Sequence, residues 1–470
     1  MTNTKRINIE NELSLLINKF ESQRSILPQE TIFLFESLFS LFRVLIAAIG
    51  VKATSRNSSV SPSQDPFRQK PDSKKNKDKK AGGQKGHRGK SLKQVPTPDK
   101  IIFHAVDICK TCDRRLSNIK CHHTTKHQVF DIEVKVIVTE HQAEHKLCHC
   151  GNMQSAELPI GVNAPCQFGT SVKAMAVDLT NVQFVPQKRA SDFFATKLNL
   201  PVSQRSIENF NKECFEKLAF WEEEAKLDLI KSEVLHGDET GININKTNAW
   251  IHSLSNDRTV LMMPHMTRGS EAIDAMGILP RYNSILCHDF WAPYATYDVI
   301  HACCHAHLQR ELIKAAEDYN QKWALKLKKL FLYANKLRNK QDGILTWPQI
   351  RKIESTYSKI LKEAEIESPS NVIRNKKRGR IAQGYPRQLL NRLILRRSWI
   401  LLFLYDPRVP FTNNQAERDI RMTKVQQKVS GCFRTFEGAQ RFCRIRSFIL
   451  SMQKQGKNPQ EELEKIFRGT

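Results

Sequence analysis

The sequence predicts an α/β multidomain chain, a core of mixed strands and helices preceded by smaller modules. Three observations predict it. At 470 residues the chain is too long for one ordinary core. Its composition switches from helical periodicity to a Lys/Ser/Pro/Gly tract, then to a cysteine-bearing stretch, then to helices again. Beyond residue 229, apolar runs of strand type come three in a row and then alternate with helical runs.

Residues 1–52 read as two helices broken near Pro28, because Leu13, Leu16, Phe20 and then Phe35, Leu38, Phe42, Leu45 recur at helical spacing. The pair suits either self-association, making the chain a homo-oligomer, or an ordinary packed hairpin. The apolar stretch from Ile32 to Val51 contains Glu36 and Arg43, which argues against a membrane span. The opening MTNTKRINIE lacks the apolar core and cleavage site of a signal peptide. A cytoplasmic, nucleoid-associated protein is therefore expected. Its twelve cysteines would be reduced, so clustered ones suggest metal rather than disulfides.

Residues 53–100 include SRNSSVSPSQDPFRQKPDSKKNKDKKAGGQKGHRGKS, which offers almost nothing to bury. A flexible basic arm is expected there. The whole chain has a formal charge of +26 and a pI near 9.6. That excess points to a polyanionic partner, since each cation near a phosphate displaces condensed counterions. A solubilising linker is the plainer reading of the arm.

Residues 101–160 carry Cys109 and Cys112 in CKTC, and Cys148 and Cys150 in CHC before Gly151. The stretch TTKHQVFDIEVKVIVTEHQAEHKL between them alternates as strands do. Two thiolate pairs flanking a hairpin describe a zinc-ribbon module with one structural Zn²⁺. The CxC spacing is tight, so His104, Cys121, His122 or His145 are alternative ligands.

Residues 161–228 look helical throughout. A helix, a break at Leu200–Pro201 and a second helix capped by Ser203 form a helix-turn-helix-like region, with Gln204, Arg205 and Asn209 facing out towards DNA. A plain helical hairpin is the alternative.

Residues 229–310 hold the chemistry. Val234 to His236 reads as a strand ending in Asp238; AWIHSLS and RTVLMMP make a meander with it; a helix lies near Glu271 to Met276. NSILCHDFWAPY is then a buried strand delivering Asp289, and IHACC a fifth strand leading into the helix HAHLQRELIKAAED. That order is the order of a ribonuclease-H-like catalytic core. Carboxylates at the ends of apolar strands are costly unless compensated, and a divalent cation compensates both. Residues 311–404 read as a helical insertion, with RNKKRGR as a second basic run.

Residues 405–470 return to the core with VPFTNNQAERDIRM. Two-metal phosphoryl transfer needs a third carboxylate, and Glu417 is the candidate. Asn413 can cap its helix, whose dipole favours a charged Glu417 in the first turn. Arg418 adjoins it, and Arg421, Lys424 and Lys428 follow at i+4, i+7 and i+11 as a basic stripe for the DNA backbone. Taken alone, a glutamate on a solvated helix face is the commoner outcome.

Read jointly, NSSVSPSQD, GGQKGHRG, the cysteine pairs, HGDETG, HDFWAPY with CCHAHLQREL, and NNQAERDIRMTKVQQKVSGCFRT resemble the transposases of the insertion sequence 66 family over nearly the whole chain. The resemblance implies Asp238, Asp289 and Glu417 as a catalytic triad of the Asp-Asp-Glu type, holding two Mg²⁺ (or Mn²⁺) per active site. It implies binding to double-stranded DNA at the element's terminal inverted repeats, strand cleavage by water, and joining of the freed 3′-hydroxyl to target DNA. Two short companion proteins of the same element are implied as partners. Cys304 and His307 are similar to a Cys-x-x-His element near the active site of related transposases, with packing and helix capping as the alternative. Where the family often writes DGY, this chain has Asp289 followed by Phe290 and Trp291. The competing readings are an inactive, zinc-containing DNA-binding regulator of the same descent, and a ribonuclease-H-like nuclease without strand joining.

Overall fold

The computed structural model describes residues 3–48, 91–370 and 383–469. The chain divides into two compact units, one of residues 69–141 and the other of residues 1–68 with 142–470. Most of the expected basic arm, and the run RNKKRGR, lie outside the described residues; residues 91–100 carry no helix or strand.

Helix α1 (Asn3–Gln23) and helix α2 (Gln29–Ala48) meet at the predicted break at Pro28. Phe20 anchors the pair, its ring centroid 5.5 Å from those of Phe35 and Phe39. Among the described residues no helix is long and apolar enough to cross a membrane.

The hairpin expected between the cysteine pairs does not form. Residues 117–144 contain no strand; the short antiparallel pair is β1 (His145–Leu147) with β2 (Met153–Ser155), around the second cysteine pair instead. The physical reason is cover. Val129, Ile132 and Val138 are almost fully exposed, and a two-stranded ribbon without a buried face is marginal.

Four helices follow: α3 (Thr170–Asn181), α4 (Gln187–Leu198), α5 (Gln204–Lys217) and α6 (Ala219–Ile230). The break between α4 and α5 is as predicted. Asn199 ends α4 in the left-handed region at φ 49°, and the Ser203 hydroxyl caps α5 by accepting from the Ser206 amide at 3.0 Å. Phe194, Ile207 and Phe210 close a core with Ile445, Phe448 and Leu463 from the two last helices, α14 and α15 below.

The central sheet has five strands: β3 (Val234–Ile244), β4 (Thr247–Ser255), β5 (Val260–His265), β6 (Ile285–His288) and β7 (Ile300–Cys303). A two-residue turn at Asn245 and Lys246, both with positive φ, joins β3 to β4 with the twist that hairpins prefer. The spatial order is β5-β4-β3-β6-β7; β3, β4 and β5 are antiparallel neighbours, while β6 and β7 run parallel to β3. Helix α7 (Ser270–Ala275) lies between β5 and β6 in sequence.

After β7 come α8 (His305–Tyr319), α9 (Lys322–Asn339), α10 (Trp347–Glu367), α11 (Tyr385–Leu395) and α12 (Arg397–Leu401). They bury Leu308, Trp323, Phe331, Tyr357 and Leu390 in one core with Ile285, Cys287 and Ala302 of the sheet. They cover the region that the sequence reads as a helical insertion. The chain then returns as α13 (Asn414–Ser430), α14 (Phe436–Lys454) and α15 (Pro459–Arg468). Ile420 of α13 and Phe442 of α14 pack on Ile242, Ile251 and Met262 of the sheet.

Candidate active site

Asp238 was expected to close its strand, but β3 continues six residues beyond it, to Ile244. What ends near Asp238 is the parallel ladder. The last β3–β6 pair is His236 with Cys287. Asp238 and Asp289 each lie two residues past that pair, so both occupy the cleft where β3 loses its parallel neighbour. Side chains alternate along a strand, so Asp238 shares a face with His236.

Helix α13 lies over that face. Asn413 stands at its N-cap position but its side chain does not cap the helix. Its amide instead donates to the Gly237 carbonyl at 2.7 Å, and its oxygen accepts from His236 Nδ1 at 2.8 Å. The expected cap is thus spent on a tertiary tie, with both Asn413 and His236 buried. Four residues on, in the first helical turn, Glu417 is carried to the cleft.

The three acids sense one another. Burial raises the carboxyl of Asp238 most, and the charges of Glu239, Asp289 and Glu417 raise it further. Asp289 is raised by burial, offset by the Trp291 backbone N–H and by Arg268, Arg392 and Arg310. Glu417 is raised by burial and by Asp289, offset by Arg310 and Arg421. The triad does not gather as one tight ligand cluster. Among the described residues, the group whose ligand atoms all lie within 4.8 Å of one another is Cys304, His307 and Glu417.

Glu239 follows Asp238 and projects to the opposite face. Its carboxylate accepts from Arg268 at 2.6 Å and is buried, which lifts it to about 7. Tyr294 covers the same face; its hydroxyl would stand 3.1 Å from a Cβ at Gly237, so any larger residue there would have to displace the ring by a few tenths of an ångström.

Three arginines surround Asp289, and nothing in the local sequence marks them. Arg268 stacks over Trp291 at 4.8 Å and Arg392 over Phe290 at 4.6 Å. Arg310 reaches to 3.5 Å from Glu417. Phe290 and Trp291 therefore each seat a guanidinium beside the acid that precedes them. These cations come from the β5–α7 loop, α8 and α11, so only the tertiary fold brings them together.

The basic stripe of α13 is partly corrected. Arg418, Arg421 and Lys428 are not buried. Lys424 is half-buried and donates to the Gly241 carbonyl of β3, so it ties helix to sheet. On α5, Gln204 and Arg205 are exposed, as the helix-turn-helix reading requires.

Each cysteine pair sits on its own tight turn. The Asp113 amide donates to the Cys109 carbonyl, and the Gly151 amide to the Cys148 carbonyl. Backbone N–H groups of Thr111 and Cys112 pull the Cys109 thiol down, and that of Asn152 does the same for Cys150.

A family model described as Transposase IS66 family matches residues 165–441, well over half of the 470. The chain belongs to that family. The match runs from just before α3 into α14 and takes in the five-stranded sheet, the cleft and helices α8 to α12 of this transposase-family chain. No curated protein matches it.

Proposed function

We propose that this chain is a DNA transposase that binds the terminal inverted repeats of its insertion sequence and performs metal-dependent strand cleavage and transfer with Asp238, Asp289 and Glu417. The observation that carries the reading is the placement of these acids. Two flank the end of one parallel ladder, and the third rides on a helix pinned to it by Asn413. The order β5-β4-β3-β6-β7, with three antiparallel strands and two parallel ones, is the order of a ribonuclease-H-like core.

The residues fit divalent metal. Buried carboxyls that repel one another are held above their ordinary range. A cation of charge two offsets both costs. Asp238, Asp289 and Glu417 would hold the ions. Bound there, Mg²⁺ or Mn²⁺ would activate the attacking oxygen and stabilise the leaving one.

The protein's own groups do the rest. Arg310 and Arg392 place positive charge beside a phosphate brought to Asp289, while the Nε and Nη2 of Arg268 are held by Glu239. Asn413 and His236 keep Glu417 in register with β3. Arg418, Arg421 and Lys428 line a helix face for the DNA backbone, and Arg205 on α5 offers base or phosphate contact. Each cysteine pair, Cys109 with Cys112 and Cys148 with Cys150, offers thiolates of the kind zinc takes, on a turn whose amides favour the charged sulfur.

Labelled element ends incubated with target DNA and Mg²⁺ or Mn²⁺ test this reading. Nicked ends and joined products support it; bound ends without either product overturn it in favour of the regulator, and nicking without joining in favour of the nuclease.

A further inference from the structure

Cys304, His307 and Glu417 come from two chain segments over a hundred residues apart, yet their ligand atoms lie within 4.8 Å of one another. His307 Nδ1 is 3.4 Å from Cys304 Sγ and 3.4 Å from Glu417 Oε1. The second distance is long for a hydrogen bond, which would sit near 2.7–3.2 Å. It matches a different geometry. Around a tetrahedral zinc ion with bonds of about 2.0–2.3 Å, neighbouring ligand atoms stand about 3.4–3.7 Å apart.

Two independent features point the same way. Glu417 Oε1 is buried and accepts no hydrogen bond; His307 Nδ1 stands 3.4 Å away and the Arg310 guanidinium 3.5 Å away, both beyond hydrogen-bond reach. Cys304 occupies the N-cap of α8, and its buried sulfur receives the Asn413 backbone N–H at 3.1 Å, with the amides of Ala306 and His307 also directed to it. Burial pushes the Cys304 thiol up to about 11 against these N–H groups, so its proton is displaced only as the ion binds. His307 is one-fifth exposed and Glu417 one-third, which leaves an approach for an ion.

We propose that Cys304, His307 and Glu417 form a binding site for one zinc-class divalent cation, distinct from the oxygen-ligand positions at Asp238 and Asp289 and joined to them through the Glu417 carboxylate. Sulfur and nitrogen ligands select a softer ion than the Mg²⁺ that suits oxygen-only positions. On binding, the Cys304 thiol proton passes to solvent. The ion then fixes Oε1 and leaves the second Glu417 oxygen for the cleft. Only the link to the cleft rests on the proposed function; the ion site itself does not.

The full chain, purified anaerobically with zinc sulfate and freed of loose metal, is analysed for bound zinc as the native protein and as Cys304→Ser, His307→Gln, Cys109→Ser and Asp238→Asn. Cys304→Ser and His307→Gln are each expected to hold one zinc fewer than native, and Asp238→Asn the native number. Loaded with Co²⁺ instead, native protein should lose part of its sulfur-to-cobalt absorption in Cys304→Ser, separately from what Cys109→Ser removes. Should Cys304→Ser fail to fold, His307→Gln carries the test. Equal zinc in native protein and His307→Gln overturns the proposal. A native chain that cleaves no DNA overturns the functional reading alone, since the zinc count is read without any activity.

Discussion

The Asn413 side chain donates to the Gly237 carbonyl at 2.7 Å, across more than 170 residues of chain. That contact sets the start of α13 against the strand that carries Asp238. With His236 on its other end, Asn413 turns a helix terminus into a fixed point four residues from Glu417.

Asn413→Ala therefore leaves a buried carbonyl and a buried imidazole without partners. A loss of about 1–3 kcal/mol in unfolding free energy is expected, read by urea denaturation. Binding to element ends should persist while cleavage falls, because the DNA-facing cations are untouched. Unchanged cleavage would show that α13 finds its place without the tie.

The acids of the cleft set a pH dependence of stability. Glu239 titrates near 7 in the folded chain against an ordinary value of 4.5, and Asp238, Asp289 and Glu417 are shifted upward too. Between those limits these four acids bind more protons in the folded state than in the unfolded one, whereas the buried histidines His252, His288, His305 and His307, all shifted downward, bind fewer. Metal-free native protein should thus lose stability relative to Glu239→Gln as pH rises from about 4.5 to about 7, the histidine contribution being common to both. Added Mn²⁺ should restore it above pH 7. Melting temperatures of both proteins across that range, with and without Mn²⁺, decide the matter; a difference between them that does not change with pH contradicts the burial of Glu239.

The cations of α13 divide into two kinds. Arg421→Ala with Lys428→Ala should reduce the slope of log affinity against log salt by roughly 2, about one for each phosphate left without its cation. Lys424→Ala should leave the slope alone and lower stability, since its ammonium serves the Gly241 carbonyl. Fluorescence titrations at several salt concentrations separate them. A slope change confined to Lys424→Ala would reverse the assignment.

What is legible in the sequence is local. Pro28 breaks a helix, Ser203 caps one, and apolar runs announce β6 and β7 with Asp289 at the right end. Each of these follows from neighbouring residues alone. Asp238 is legible as a residue but not in its place along the strand, because the continuation of β3 depends on its pairing with β4 over Asp238 to Ile244. The capping role predicted for Asn413 is displaced by a tertiary partner no local pattern encodes. Arg268, Arg310 and Arg392 are invisible locally for the same reason. The ribbon hairpin fails because alternation alone supplies no second layer to cover Val129, Ile132 and Val138. Glu239 faces away from Asp238, its neighbour in sequence, yet its charge reaches both aspartates.

The central claim concerns Glu417, and one comparison tests it most directly. Asp419, two residues on, is buried against Lys454 at 2.7 Å and faces away from the cleft. Cleavage of labelled element ends is measured for Glu417→Gln and Asp419→Asn, with end binding recorded in parallel. Glu417→Gln should bind as native and lose cleavage by orders of magnitude, as expected when metal stabilisation of several kcal/mol is removed. Asp419→Asn should retain cleavage in whatever fraction remains folded. Near-native cleavage by Glu417→Gln, with Asp419→Asn folded and inactive, would contradict the account.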